Sequence, residues 1–411
     1  MKKRISIVLA LLSAVSMSVC GCSLPEESVK EATEFLNDNG EVTEESDEAS
    51  SGSSEIVVIN DLFEPILEKS SEESNEVAAT ESVSIDESTE DEGKDHEVNV
   101  VFFGDSQLAN GRDEGHSIAN FLQSRIPYCY IYNMAIGGTT ASVEQTTSDV
   151  SAEKLTSTSF LGMAYCFAGK SDREATLAAG YPDILETMNS IDPADVDYYV
   201  LSYGTNDFLN NVPLDVSSYS SETEQAHSLY NSMIKAIDIL KDISPDAYII
   251  VMTPFYGIYV DQNGSYLGDS YIVSNGIGTL ADYADKVKNV AEAEDIVCFD
   301  NMYASKYDLY LDTAGEYLMD NLHLSVIGRQ IVARLMAHEF NFREGNEPYA
   351  YLETDYVKIS EFEPEEYYRY DEGQMKKYYP ESWEKYIRGE FPLAQPTEAA
   401  VEAYKDEQSG G

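Results

Sequence analysis

Basic side chains are scarce in this sequence. Lys and Arg together number 26 against 75 Asp and Glu, which gives a formal net charge of −49. Such a chain repels phosphate backbones, so nucleic acid is not expected as a partner. Cysteine is also rare, with five residues at spacings that match no metal-ligand pattern, and we expect neither a metal nor another cofactor. Beyond the N-terminal stretch, no apolar run is long enough to cross a bilayer.

The first 22 residues have the layout of a secretory signal. Three basic residues at positions 2–4 precede a short apolar run, and the segment ends in "VCGC". This ending resembles a bacterial lipobox, which implies cleavage before Cys22 and acylation of its thiol. An ordinary signal cut at another position is the alternative. Acyl chains on Cys22 would anchor the protein at the extracytoplasmic face of the bacterial cell membrane.

Three cysteines would remain after Cys20 leaves with the signal and Cys22 takes the lipid. Cys129, Cys166 and Cys298 lie in or near apolar segments, and we expect Cys129 and Cys298 to be buried thiols in strands. A single disulfide among the three stays open at this point.

Residues 23–97 form a strongly acidic segment, with 25 acidic against 3 basic side chains. A segment so poor in aromatic residues cannot bury enough apolar surface to offset its ordering entropy. We therefore expect a disordered acidic tether that carries a folded domain away from the membrane.

From residue 98 onward, short apolar runs alternate with amphipathic helical patterns. This alternation predicts a parallel sheet covered by helices on both faces, a three-layer α/β/α sandwich. Ligands of such sheets bind at the carboxyl ends of the strands. The predicted strands are "VNVVFFG" (98–104), "YCYIYNMAIGG" (128–138), "YYVLSYG" (198–204), "AYIIVMTP" (247–254) and "DIVCFD" (295–300), and the predicted helices cover 221–243, 278–294 and 325–340.

Four short motifs at or beyond strand ends carry the residues that acyl transfer needs. "FFGDS" supplies Ser106, "NMAIGGTT" supplies Gly138, "YGTND" supplies Asn206, and "DNLH" supplies Asp320 and His323. A serine hydroxyl becomes a nucleophile when an imidazole accepts its proton, and a carboxylate orients that imidazole. Glycine N–H groups and an asparagine amide can stabilise the oxyanion that forms.

The order and spacing of these motifs resemble the four sequence blocks of the SGNH/GDSL hydrolase superfamily. The resemblance covers about residues 98–341 and implies a flavodoxin-like sandwich around a five-stranded parallel sheet. It implies Ser106 as nucleophile, His323 as base and Asp320 as its orienting acid. It also implies an oxyanion hole formed by the Ser106 N–H, Gly138 and Asn206. Activity in this superfamily is hydrolysis of carboxylic esters, sometimes acyl transfer, without a metal.

The match has two departures and one competing pair. Gln107 follows the serine where the family motif has leucine, and Gly111 falls one place later than in the commonest form. "DEGH" offers Asp113 and His116 as a second Asp-x-x-His pair. We favour His323, because it follows the last strand.

A second Gly-Asp-Ser occurs in "SYLGDSYI", where the serine is Ser270. It follows the turn "DQNG" and no strand-like run is evident before it. We therefore expect Ser270 to be a loop serine that takes no part in catalysis.

These patterns predict a membrane-anchored serine esterase that acts on an acyl ester, with an acylated polysaccharide as the expected substrate class. An acyltransferase to a glycan hydroxyl and a non-catalytic glycan-binding protein are the alternatives. The tyrosine-rich C-terminal extension, with the only tryptophan, Trp383, would either form a glycan-binding rim or pack on the main domain. The predicted organisation is a signal (1–22), the tether (23–97), the hydrolase domain (98–344), the tyrosine-rich extension (345–394) and a disordered tail (395–411).

Overall fold

The central sheet has five strands, all parallel, in the order β2-β1-β3-β4-β7. A computed structural model describes residues 97–303, 306–349, 356–364 and 371–409 of the chain. The sheet strands coincide with the apolar runs of the sequence, as expected for strands covered on both faces. Their bounds are β1 Val98–Gly104, β2 Cys129–Asn133, β3 Tyr198–Ser202, β4 Tyr248–Met252 and β7 Val297–Phe299.

Helices cover both faces of the sheet, and alternate residues of β1 divide between two hydrophobic cores. Val101 and Phe103 belong to one core, whereas Val100 and Phe102 belong to the other. This alternation is the two-residue period of a strand. The predicted α/β/α sandwich with a five-stranded parallel sheet is therefore confirmed.

The helices of this domain are α1 Ser106–Ala109, α2 Ile118–Gln123, α3 Phe160–Phe167, α4 Arg173–Leu177, α5 Pro182–Asn189, α6 Thr205–Leu209, α7 Glu222–Ala226, α8 Leu229–Ile243, α9 Leu280–Glu294, α10 Ala314–Tyr317 and α11 Val326–Arg343. The predicted helices at 278–294 and 325–340 correspond to α9 and α11. On one face α2 packs against α11, and on the other α8 packs against α3 and α9.

The single helix predicted over 221–243 is wrong, because α7 and α8 are separate. At the break, Val143 N donates to the carbonyl of Ala226, and the Gln145 side chain donates to the carbonyl of His227. The Ser232 hydroxyl also donates to the Ala226 carbonyl. Carbonyls that would continue the helix therefore accept other donors, a tertiary competition that local periodicity does not contain.

Two segments outside the predicted strands and helices have defined structures. Between the second and third strands, α3 is buried along its whole length in one core. After β4 the chain forms an antiparallel hairpin of β5 Ile258–Val260 and β6 Tyr266–Asp269.

From residue 371 to residue 409 the chain forms three helices, α12 Glu372–Tyr378, α13 Pro380–Ile387 and α14 Glu398–Ser409. Trp383 is buried in a small core of its own with Met375, Tyr386 and Phe391. The prediction of a disordered tail over 395–411 is wrong for residues 398–409, because α14 packs Val401 and neighbouring apolar side chains against this core. The domain boundaries themselves stay predictions.

Cys129, Cys166 and Cys298 are all free thiols. Cys129 and Cys298 lie in β2 and β7 as expected, but Cys298 is only half-buried. Cys22, the signal and the tether up to residue 96 lie outside the described residues. Within the described part of the chain, no helix is both long and apolar enough to cross a membrane.

Candidate active site

Ser106 begins α1 directly after β1, at the carboxyl edge of the sheet. The turn is stabilised by the Asp105 side chain, whose Oδ1 accepts the N–H of Gln107 at 2.9 Å. Ser106 Oγ lies 2.9 Å from His323 Nε2. The half-buried Ser106 hydroxyl thus contacts the imidazole of His323, the partner that the sequence predicts, which lies 217 residues later in the chain.

His323 and Asp320 lie in the short loop between α10 and α11. His323 Nδ1 is 2.7 Å from Asp320 Oδ2, and Asp320 Oδ1 accepts the N–H groups of Leu322 at 2.7 Å and His323 at 2.6 Å. Burial opposes ionisation of Asp320, but these donors outweigh it and lower its pKa to about 2. Burial likewise disfavours the imidazolium, yet the hydrogen bond and charge of Asp320 raise the pKa of His323 above its usual range.

The glycine loop after β2 lies beside the serine. A Cβ built on Gly137 would be 3.7 Å from Ser106 Cβ, and Gly138 adopts φ +79°, a conformation that favours glycine. Both glycines are exposed. Within the described residues, neither the Ser106 N–H nor the Gly138 N–H donates to a protein acceptor. Two backbone donors that have no acceptor among the described residues therefore lie beside Ser106 Oγ.

Asn206 lies in the first turn of α6, two residues after Gly204, whose φ of +117° turns the chain out of β3. Its Nδ2 donates to the Thr139 carbonyl at 3.0 Å and to Asp105 Oδ2 at 3.3 Å. The amide therefore joins the ends of β1 and β3 to the glycine loop. To donate to an oxyanion, it would give up the longer contact, with Asp105.

Asp207 supports the backbone of the glycine loop and was not among the site residues predicted from the sequence. It is buried, and its carboxylate accepts the N–H of Ala141 at 2.9 Å and of Ser142 at 3.2 Å. These bonds fix the segment that follows Gly138. Burial raises the pKa of Asp207 to about 6 and that of Asp105 to about 7. An acidic residue directly after Asn206, at the end of a buried strand, was the available signal.

The displaced Gly111 has a steric explanation. Gly111 has φ +76°, and a Cβ there would lie 1.9 Å from Arg329 Nη1. The same guanidinium donates to the carbonyl of Asn110 at 2.8 Å. The loop after Ser106 thus passes against an arginine of α11, which leaves no room for a side chain.

The competing pair lies on the surface. His116 is exposed and stacks on Phe121, with ring centroids 6.1 Å apart. Asp113 lies 3.7 Å from Arg112 in an exposed ion pair. The imidazole hydrogen-bonded to Ser106 is that of His323.

Ser270 differs from its expected setting. It directly follows β6, so the absence of a strand before it was a wrong inference. Its side chain is buried, and Oγ accepts the N–H of Gly257 at 2.8 Å and contacts the Gly257 carbonyl at 3.2 Å. The next residue, Ile258, donates its N–H to the Asn321 carbonyl at 2.8 Å. Ser270 therefore supports the segment that contacts the loop of His323.

The comparison with known proteins gives the same family as the sequence motifs. The sequence model of the GDSL-like lipase/acylhydrolase family matches residues 100–336. No curated protein sequence matches the chain significantly. Within the described residues, no group of three His, Cys, Asp or Glu is placed to hold a metal ion.

Solved structures similar to this chain include a possible lipase and two carbohydrate esterases. A possible lipase from Chitinophaga pinensis is 18% identical, with 60% of this chain and 99% of that chain covered and a TM-score of 0.41. Est24, a carbohydrate acetylesterase from Sinorhizobium meliloti, is 15% identical, with 60% of this chain and 100% of that chain covered and a TM-score of 0.36. The acetyl xylan esterase AlAXEase is 17% identical, with 59% of this chain and 99% of that chain covered and a TM-score of 0.36. On the family match, the chain belongs to the GDSL-like lipase/acylhydrolase family and is a serine ester hydrolase of the SGNH type.

Proposed function

We propose that the protein hydrolyses carboxylic esters through a Ser106–His323–Asp320 triad. One observation carries the proposal, the unbroken hydrogen-bonded series from Ser106 Oγ to His323 Nε2 at 2.9 Å and from His323 Nδ1 to Asp320 Oδ2 at 2.7 Å. In this arrangement Asp320 holds the proton on Nδ1, so Nε2 is free to accept the serine proton.

Acylation begins when Ser106 Oγ attacks the ester carbonyl carbon and its proton passes to His323 Nε2. The carbonyl oxygen becomes an oxyanion beside the N–H groups of Ser106 and Gly138, with Asn206 Nδ2 as a third donor. The ester C–O bond then breaks, and the departing alcohol takes the proton from His323. Water then gives a proton to His323 Nε2 and attacks the acyl carbon, the bond between that carbon and Ser106 Oγ breaks, and His323 returns the proton to Ser106 Oγ as the carboxylic acid leaves.

The proposed substrate is a short acyl group, such as acetyl, carried by a glycan. Openness of the site supports a bulky alcohol, because the His323 side chain is 28% exposed and that of Asp320 is 50% exposed. A row of tyrosine rings also starts next to the loop of His323. Tyr256 precedes Gly257, and its ring centroid lies 5.9 Å from that of Tyr271, which lies 5.9 Å from that of Tyr303. Tyr271 and Tyr303 are exposed and offer aromatic faces on which sugar rings can stack.

The proposed location is the extracytoplasmic face of the bacterial membrane, with lipid on Cys22. This rests on the basic start, the short apolar run and "VCGC" alone. A Cys22→Ser variant should lose incorporation of labelled palmitate and should leave the membrane fraction. Palmitate incorporation retained by this variant would overturn the anchor.

The test of activity uses the full-length protein with two substrates. We expect cleavage of p-nitrophenyl acetate and release of acetate from an O-acetylated polysaccharide. Tyr271→Ala should raise KM for the polysaccharide about tenfold while leaving KM for p-nitrophenyl acetate within twofold, because only the glycan would reach the tyrosine row. Equal effects on both substrates would refute the glycan assignment, and no turnover of either substrate would refute the esterase.

The same assay separates a hydrolase from a transferase. Soluble sugar acceptors are added, and the products are followed by mass spectrometry. Free acetate as the main product supports hydrolysis, whereas acetylated acceptor as the main product would assign the alternative.

A further inference from the structure

We propose that Gln107 is a positioning residue that holds His323 in place against Ser106. The inference rests on the proposed triad and goes beyond it, since Gln107 is one of the two positions at which the sequence departs from the family pattern. Gln107 is buried in the first turn of α1, directly after Ser106. Its side chain reaches the loop of His323.

The contact pattern is specific to an amide. Gln107 Nε2 donates to the Leu322 carbonyl at 2.8 Å, and Gln107 Oε1 accepts the N–H of Leu324 at 3.3 Å. One planar group thus binds the peptide groups on both sides of His323, using the donor and the acceptor that a glutamine presents together. The short helix that presents the nucleophile also holds the backbone of its base.

The loop needs such support because much of its own hydrogen bonding is internal. Met319 N donates to the His323 carbonyl, and Leu318 forms an isolated bridge with Leu324. Within the described residues, the hydrogen bonds of Asp320 go to His323 and Leu322 of the same loop, and the bond from the Ile258 N–H to the Asn321 carbonyl ties this loop to the hairpin rather than to α1. These bonds keep the Asp320–His323 pair intact, but they do not fix its distance from Ser106.

Leucine at position 107 would supply neither bond. The Leu322 carbonyl and the Leu324 N–H would lose their partner, and the loop could shift as a unit relative to α1. A misplacement of about 1 Å between reacting groups can cost about 100-fold in rate. We therefore expect Gln107→Leu to lower kcat about 10- to 100-fold and to leave KM within about twofold.

The pH profile should separate this effect from damage to the triad. Asp320, whose hydrogen bond and charge raise the pKa of His323 more than any other group, moves with the imidazole, so this pKa should change little even though the smaller contributions of Asp105 and Arg329 would alter. The acidic limb of kcat/KM for Gln107→Leu should therefore overlay that of the wild type after scaling.

The experiment uses the full-length protein and measures separately the fraction of enzyme that can be labelled, called the titre, and the rate at which that fraction is labelled. A fluorescent p-nitrophenyl phosphonate ester labels the active serine, so its end-point gives the fraction of competent enzyme and its rate gives the reactivity of that fraction. For Gln107→Leu we expect a titre close to that of the wild type and a rate reduced 10- to 100-fold. A rate within twofold of wild type, or a loss confined to the titre, would overturn the proposal.

Asn301→Leu is the matched control. Asn301 is also a buried amide with two bonds, from Nδ2 to the Thr253 carbonyl at 3.0 Å and from the Tyr307 hydroxyl to Oδ1 at 3.0 Å. Its loss should lower the melting temperature without changing the labelling rate of folded enzyme. An equal fall in rate for this control would show a general packing effect and would refute positioning by Gln107.

Gln107→Met covers the case in which the leucine variant does not fold, because methionine is unbranched and lacks the amide. The same reduced rate at full titre is expected. If neither variant folds, Gln107 is a structural residue and the proposal fails. An unlabelled wild-type protein would refute the proposed triad, whereas a labelled wild type with equally fast variants would refute the inference alone.

Discussion

The two Gly-Asp-Ser segments, 104–106 and 268–270, share their local structure and differ in everything around it. In each, the aspartate Oδ1 accepts the N–H of the residue two places later at 2.9 Å. In each, the aspartate carbonyl then accepts N–H groups three and four places later. The tripeptide therefore specifies one turn, stabilised by an aspartate side chain that binds its own backbone.

What differs is the strand before each turn and the partner of the serine. The first copy ends β1, a strand inside a parallel sheet, and Ser106 Oγ contacts His323. The second ends β6 of a two-stranded hairpin, and Ser270 Oγ hydrogen-bonds to the backbone N–H and carbonyl of Gly257. The lesson is that a motif determines a turn, whereas the site depends on which sheet edge the turn occupies.

The largest expected effect is that of Ser106→Ala. Removal of the nucleophile should lower kcat for p-nitrophenyl acetate by about 10⁴-fold or more, because the other triad residues cannot act without it. Phosphonate labelling, measured by intact mass, should vanish as well. If this variant keeps its activity while Ser270→Ala loses it, the comparison is inverted.

Asp320→Asn is expected to rank next, with a loss of about 10²- to 10⁴-fold in kcat. The asparagine amide would favour the wrong tautomer of His323. Because Asp320 raises the pKa of His323 and activity needs the neutral imidazole, the acidic limb of kcat/KM should move to lower pH. A pH–rate series on both enzymes checks the direction, and an unmoved or raised limb would contradict it.

Asn206→Ala should lower kcat by about 10²-fold, as expected for loss of one oxyanion donor. KM for p-nitrophenyl acetate should change little, because the charge it stabilises exists only during reaction. His227→Ala is a suitable comparison, since His227 lies at the break between α7 and α8. A KM effect without a kcat effect would assign Asn206 to substrate binding.

The smallest expected effect on chemistry is that of Ser270→Ala. It leaves the buried Gly257 N–H without its partner, which should lower the free energy of unfolding by about 1–3 kcal/mol. Activity of the folded enzyme should stay within about threefold. Urea unfolding and phosphonate labelling test the two parts, and an unchanged stability with a large loss of rate would make the second copy functional after all.

The sequence predicted the fold because its signals are strong and local. Runs such as 98–104 are short, rich in Val and Phe and ended by a glycine, a combination that is typical of a buried strand. The single helix predicted over 221–243 is too long because Val143 and Gln145, which donate to the carbonyls at its break, lie about 80 residues away in sequence. The ordered helix at 398–409 was not predicted because its apolar side chains pack on a small core that the sequence alone does not reveal.

By itself, the sequence determined the parallel sheet, the Asp-stabilised turn at Ser106 and the set of residues able to form a triad. The sequence already favoured Ser106 and His323, but only the tertiary structure brings Ser106 Oγ to the His323 imidazole and shows that Gln107 binds both neighbours of His323. The physical reason is the separation along the chain of the residues that interact. Strand and turn preferences arise within a few residues, whereas a hydrogen bond of 2.9 Å between residues 106 and 323 exists only after the whole sheet has assembled.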